Sequence, residues 1–159
     1  MTSSTEPTQA HIRPASAADF PRLERLLTES SLPLDGVRDA LGDFVVAEAD
    51  GDLVGVAGLK ICCDDALLRS VVVKQEWRSK GVGRALITRA ISNAEARGLR
   101  ALYLLTTTAE HYFPTFGFKT ITRGDVPEAI RETDEFTRAC PESATVMRKQ
   151  CDPRRVARA

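Results

Sequence analysis

The sequence predicts a three-layer α/β domain built around a mixed sheet, and three observations carry that prediction. The first is a β-branched run, "ALLRSVVV" (66–73), followed after a basic turn by Leu86, Ile87, Ala90, Ile91 and Ala94 on one helical face, and then by the nearly all-apolar "ALYLLT" (101–106). Strand, helix and doubly covered strand in that order make a βαβ unit, whose strands are parallel and whose crossover is right-handed. The second is "DFVVAEADGDLVGVAGLKI" (43–61), two strand-like runs around Asp50-Gly51, a pair that favours a tight hairpin turn. The third is "SAADFPRLERLL" (16–27), which places Phe20, Leu23, Leu26 and Leu27 at helical spacing behind Ser16 as N-cap and Asp19 three residues later.

The remaining elements fall around this frame. A short strand is expected near Ile12, and the helix of the βαβ unit should stop before Gly98, a good C-cap. "DVPEAIRETDEF" (125–136) opens on Asp125 with Glu128 three residues on, the pattern of a capped helix, and "SATVMRK" (143–149) reads as a closing strand. There is no internal repeat and no low-complexity segment.

With 159 residues, 43% of them hydrophobic, the chain can bury one real core. The 22 Lys+Arg balance the 22 Asp+Glu, so no global field draws the protein to nucleic acid or to an anionic membrane, and an anion site has to be local. No apolar run approaches the roughly 20 residues that span a bilayer, and "MTSSTEPTQAH" lacks the regions of a secretory signal. A cytoplasmic protein is expected. Residues 1–10 and the basic 150–159 read as frayed ends around a domain over 11–149. Four cysteines, Cys62, Cys63, Cys140 and Cys151, make no disulfide scaffold, and Cys62-Cys63 lacks the CxxC spacing of zinc sites. Reduced thiols are expected. Capture of a soft metal or metalloid by the adjacent pair is the minor alternative, opposed by the opposite facing of neighbours on a strand, and no metal is assigned.

The chemistry is concentrated in "VVVKQEWRSKGVGRAL" (71–86). In a strand-to-helix turn the first helical N–H groups lack intrahelical partners and the helix dipole adds positive character, so the site favours phosphate. Gly81 and Gly83 remove side chains that would keep a ligand away, and Arg78, Lys80 and Arg84 add charge. A dinucleotide fingerprint needs a third glycine where Leu86 stands, and a P-loop needs GxxxxGK[ST], which is absent. What remains is RxxGxG, compatible with a pyrophosphate site or with a capped turn that holds nothing.

Taken together, "HIRPASAADFPRLERLL", "LLRSVVV…RSKGVGRAL" and "YFPTFGF" resemble the GNAT superfamily of N-acetyltransferases, over nearly everything from Ile12 to Lys149. The resemblance implies a central mixed, mostly antiparallel sheet with one parallel strand-helix-strand unit and helices on both faces. It also implies acetyl-CoA as co-substrate. The pyrophosphate would lie on the N–H groups of Ser79, Lys80, Gly81, Val82, Gly83 and Arg84, with Arg78 beside them. The pantetheine would pair with Val71, Val72 and Val73, and Phe113 and Phe116 would wall it or fill the core. Within the superfamily, "LLTTTAEHYFPTFGF" and "VPEAIRETDEFTRACPESATVMRK" resemble small amino-acid acetyltransferases related to N-acetylglutamate synthase, and the subgroup associated with arsenic resistance. A small amine substrate follows from this, and a homodimer is compatible with it although no apolar stripe marks an interface.

The implied reaction is attack of a neutral amine on the thioester, with a strand N–H near Val71 or Val72 polarising the carbonyl. The usual Tyr, four residues before the Gly of GF, is Phe113 here, with Tyr112 beside it. The loss is small, since releasing a thiolate of pKa about 8.5 near pH 7 costs only ~2 kcal/mol more than releasing it protonated. Water, Thr107 or Tyr112 can supply the proton. The middle of "LLRSVVV" offers no carboxylate base. Deprotonating an α-amine near pKa 8 takes ~1.4 kcal/mol at pH 7, against ~4.6 for a lysine, which favours an α-amino acceptor. Glu110 is a candidate water-mediated base, with helix capping as its plain alternative. Arg69 is a candidate clamp for a substrate carboxylate, the plain reading being a surface ion pair. His111 and Thr106, Thr107 and Thr108, at the end of the second parallel strand, are candidate substrate contacts. Two other functions remain open: acetylation of proteins or peptides, and non-catalytic sensing of acyl-CoA.

Overall fold

The structure, a computed structural model, describes residues 9–32, 34, 36–133, 136–137 and 144–152. Strands β1 (His11–Pro14), β2 (Phe44–Ala49), β3 (Asp52–Cys62), β4 (Asp65–Val73), β5 (Ala101–Thr106), β6 (Lys119–Ile121) and β7 (Thr145–Gln150) form one sheet in the order β1-β2-β3-β4-β5-β7-β6. Of the six neighbouring pairs, β4–β5 is parallel and the others are antiparallel. Helix α1 (Phe20–Glu29) lies before β2, α2 (Val82–Ala96) crosses from β4 to β5, and the single turn α3 (Glu128–Arg131) follows β6.

The pleat sorts the apolar residues into two layers. Val45, Ala47 and Ala49 of β2 join Ala57, Leu59, Ala66 and Leu68 beneath Leu86, Ile87, Ala90 and Ala94 of α2. Phe44 and Val46 point the other way and pack with Phe20, Leu23, Leu26 and Leu27 of α1. Each fully buried Leu or Ile in these layers is worth about 1.5–3 kcal/mol of transfer free energy. Helix α2 rides close to the sheet because Gly55 has no side chain: a Cβ there would fall 2.8 Å from Leu86 Cδ1 and 3.1 Å from the Val72 carbonyl oxygen. Asp50 (φ 54°) and Gly51 (φ 82°) are both left-handed, so the predicted hairpin closes with a primed turn.

Ser16 and Asp19 form the expected reciprocal cap, and Asp19 does more than cap. Its carboxylate, 2% exposed, accepts the Ser16 N–H, two bonds from Arg13 (2.7 and 2.8 Å) and one from Arg22 (2.7 Å). Arg13 and Arg22 reach on to Glu48, so β1, α1 and β2 are tied at one point. The hydrogen bonds from Arg13 hold the Asp19 carboxyl far below the usual carboxylate range.

Three local expectations are corrected. The helix over 125–136 starts only at Glu128 and runs to Arg131, because Val126, held extended (φ −86°, ψ 134°) before Pro127, cannot be helical. Asp125 instead takes a bond from Thr122 Oγ1. "YFPTFGF" forms a 3₁₀ turn over Phe113–Phe116, stopped by Gly117 at φ 97°, and β6 after it went unforeseen. The boundary at 149 moves outward, since Gln150 ends β7, Cys151 is buried and the Asp152 N–H donates to Glu95. Cys62, Cys63 and Cys151 form no disulfide. Cys62 ends β3 and Cys63 is exposed at the turn, while burial pushes the Cys151 thiol up to about 11, helped by Glu95. Cys140, residues 1–8 and residues 153–159 lie outside the described residues. Among the described residues no helix is long and apolar enough to cross a membrane.

Candidate functional site

The parallel pairing of β4 and β5 lasts three residues, with Asp65, Ala66 and Leu67 opposite Ala101, Leu102 and Tyr103. Beyond Leu67 the strands part. β5 stays with β7 as far as Thr106, and β4 stays with β3 as far as Val73. The gap is a cavity of about 410 Å³. Leu68, Arg69, Ser70 and Val71 line one side, Leu104 to Thr108 the other, and Ala109, Tyr112 and Phe113 close the end. Edge amides of β4 that face this gap have no β5 ladder to satisfy them, which leaves room for an extended ligand to pair there.

At the end of β4 the chain makes a 3₁₀ turn over Gln75–Trp77 and then winds through two left-handed residues, Ser79 (φ 64°) and Gly81 (φ 86°). Gly81 is the N-cap of α2, and the first helical bond runs from the Ala85 N–H to the Gly81 carbonyl (3.0 Å). The N–H groups of Val82, Gly83 and Arg84 precede that bond and lack helical acceptors, so turn and helix start form a concave anion cradle. A Cβ on Gly83 would stand 3.5 Å from the Tyr112 hydroxyl and from Val73 Cγ2, so the cradle borders the cavity. A second, more open groove of about 760 Å³ flanks the turn on its other side, lined by Ile12, Asp50, Trp77, Lys80, Gly81 and Val82. It holds none of the parted strand edges, which line the smaller cavity.

The predicted residues are only partly gathered. Val71 lines the cavity; Val72 is buried on the α1 side, and Val73, half-buried, packs on the α2 side. The three cations do not converge. Arg78 Nε donates to the Val73 carbonyl (3.0 Å), Lys80 lies over the Trp77 ring (5.4 Å), and Arg84 lies over Phe116 (4.9 Å). Phe113 is buried and walls the cavity, while Phe116 meets Tyr112 edge-on. Tyr112 is the exposed one of the two adjacent aromatics and points into the cavity, so the hydroxyl one position early occupies the site. Thr106 Oγ1 accepts the Ala109 N–H (2.9 Å) and shapes the loop that exposes Thr107 and Thr108. Glu110 accepts from Thr145 Oγ1 (2.9 Å), and His111 is exposed; neither is among the described residues lining the cavity. Arg69 departs from the surface reading. It is 6% exposed and lines the cavity, with its Nε donating to Ser70 Oγ (3.0 Å). Ser31, Leu32, Ser70 and Ala144 were not foreseen as lining residues. Of these, Ser70 alone adjoins a residue the sequence singled out, and its left-handed backbone (φ 58°) has no local signature.

This arrangement suits a diphosphate-bearing thioester threaded between parted strands, and the family comparison agrees. Residues 40–120, half of the chain, match the model of the GNAT acetyltransferase domain. The chain belongs to the GNAT family. Among curated relatives it is similar to the amino-acid acetyltransferase of Neisseria meningitidis, 29% identical over 130 residues, which cover 76% of this chain and 30% of that protein. This GNAT chain thus spans less than a third of the length of that relative. Among solved structures, N-acetylglutamate synthase from Neisseria gonorrhoeae, complexed with coenzyme A and N-acetyl-glutamate, superposes with a TM-score of 0.78 at 23% identity, covering 92% of this chain and 36% of that one. The Mycobacterium tuberculosis protein Rv2747, in complex with CoA, gives 0.77 at 22% identity, over 89% and 99%. The Escherichia coli ribosomal-protein alanine N-acetyltransferase gives 0.69 at 20% identity, over 90% and 94%. At these identities the structures establish the GNAT fold, including its single parallel strand pair.

Proposed function

We propose that the chain transfers the acetyl group of acetyl-CoA to the α-amine of a small, carboxylate-bearing, amino-acid-like substrate. One observation carries the choice of acceptor: Arg69 is the only charged side chain among the described residues lining the cavity. A buried guanidinium attracts a carboxylate, or a phosphinic or arsenic-containing analogue, and repels a lysine or polyamine. The cavity, about 410 Å³, matches a small molecule rather than a protein loop. The amino-acid acetyltransferase named among the relatives supports the same class.

In this reading the diphosphate lies on the N–H groups of Val82, Gly83 and Arg84, and the acyl arm follows the free edge of β4 to Val71. The neutral amine attacks the thioester carbonyl carbon, a C–N bond forms, the C–S bond breaks and the amine proton passes to water. A β4 N–H near Val71 or Val72 polarises the carbonyl, and the thiolate leaves as such or takes a proton from Tyr112 or, through water, from Thr107. The test is thiol release from acetyl-CoA by the pure protein with a panel of amines that includes glutamate, its phosphinic and arsenic-containing analogues, lysine and short peptides. Turnover with carboxylate-bearing α-amines is expected. Release with peptides alone would overturn the small-substrate reading, and tight CoA binding without release for any amine would point to a sensor.

A further inference from the structure

The cavity between the parted strands has two unlike faces. Just past the last β4–β5 pair, Leu67 opposite Tyr103, Leu68 and Leu104 line the fork and belong, both buried, to the core on the α2 side. Buried Phe113 is part of the same core, and Val71 and Ala109 pack against it. These five apolar side chains make the face towards α2. The other face carries Ser31, which follows α1, and Arg69, whose Nη1 would stand 3.6 Å from a Cβ on Gly36. The apolar face has no room to retreat. Leu68 is paired to Leu59 of β3 and Leu104 to Met147 of β7, so neither strand of the fork is free to move aside. Phe113 meets Phe118 (5.8 Å) and Tyr112 (5.6 Å) edge-on, in a 3₁₀ turn fixed by Pro114 and ended by left-handed Gly117. A wall packed in this way resists even one extra methylene.

Building on the acetyl-transfer reading, we propose that Leu68, Leu104 and Phe113 determine donor specificity: they gauge the acyl group and hold it to two carbons. An acyl arm that follows the free edge of β4 from the cradle advances towards the fork. Its uncharged acyl end meets the apolar face, and a charged acceptor is left the other one, because an ion gains nothing against a wall of Leu and Phe. The acetyl methyl fits against the three side chains. Each further methylene has to press into that wall or turn across the cavity into the space the acceptor needs, and either course lowers the rate of transfer.

The test follows thiol release from acetyl-, propionyl- and butyryl-CoA with a saturating amount of the fastest amine of the panel. Wild type is expected to lose about tenfold in kcat/KM for each added methylene, the scale on which an apolar pocket senses one carbon. Phe113→Leu and Leu104→Val, which trim the wall gently enough to fold, should each raise the butyryl-to-acetyl ratio by about tenfold, and Phe113→Ala should raise it further. Both donors are measured on one preparation, so loss of folded protein lowers both rates alike and leaves the ratio unmoved. Leu23→Val, an equal truncation in the core on the α1 side, should not change it. A wild type that uses butyryl-CoA as fast as acetyl-CoA, or a ratio that Phe113→Leu and Leu104→Val shift no more than Leu23→Val does, would overturn the acyl gauge while leaving acetyl transfer intact. A wild-type protein that releases no thiol from any of the donors with any amine would overturn both.

Discussion

Replacing Gly81 tests the anion cradle, and the structure fixes how large the effect should be. Gly81 is exposed and a Cβ there would meet nothing within 4 Å, so bulk is not the obstacle; its φ of 86° is. An L-residue in that region costs roughly 1–2 kcal/mol. Because nothing packs against position 81 itself, the Gly81→Ala protein is expected to relax to negative φ when free, with its melting temperature nearly unchanged. Relaxation turns the peptide leading into Val82 and breaks the concavity, and CoA can bind only by restoring it. The strain is then subtracted from binding, which weakens Kd by about 5- to 30-fold at 1.4 kcal/mol per decade. Asn, which enters the left-handed region more readily, should lose several-fold less. Calorimetry gives Kd, and Trp77, the only tryptophan of the chain, lies one strand-end from the cradle and gives a parallel fluorescence titration. A Gly81→Ala protein that binds CoA like wild type, whatever its melting temperature, would refute the cradle.

Asp19→Asn should cost about 3 kcal/mol in urea unfolding, because it leaves Arg13 and Arg22 beside a neutral group in a mostly covered network. The same carboxyl sets an acid limit. Its folded pKa is depressed, so its stabilisation is complete above the unfolded value near 4 and fades as pH falls below that; an unfolding midpoint in wild type that does not drop between pH 5 and 3, relative to Asp19→Asn, would contradict the network. Gly58→Ala should destabilise by about 1–3 kcal/mol through overpacking, since its Cβ would fall 2.4–2.6 Å from the Phe44 ring; a variant with unchanged midpoint would show that the ring has room to move. Native alkylation at pH 8 followed by peptide mass mapping should label Cys63 and spare Cys151, whose thiol is buried and pushed up to about 11; early labelling of Cys151 would mean that the β7 end opens readily.

What the sequence discloses and what it withholds divides along a physical line. Period-two and period-3.6 apolar patterns are properties of contiguous residues, and β2 to β5, α1 and α2 all appear where those patterns put them. The glycine turn is equally local, because Gly81 and Gly83 mark backbone conformation and close approach in the very residues that use them. The sheet order is not local: nothing in "SATVMRK" says that β7 inserts between β5 and β6, and that insertion holds β5 while β4 departs from it. The cavity is thus a consequence of pairing choices made far apart in the chain. The fate of individual cations is withheld for the same reason. Arg78, Lys80 and Arg84 look alike as charges beside a phosphate turn, yet each is claimed by a different partner, a carbonyl, an indole and a phenyl ring. Arg69 moves the opposite way, from an ordinary strand charge to a buried group lining the gap, because β5 leaves β4 after Leu67 and opens the cavity beside it. Whether a strand arginine ends on the surface or in a cavity is thus decided by where its neighbouring strand stops pairing, which no stretch of contiguous residues around Arg69 records.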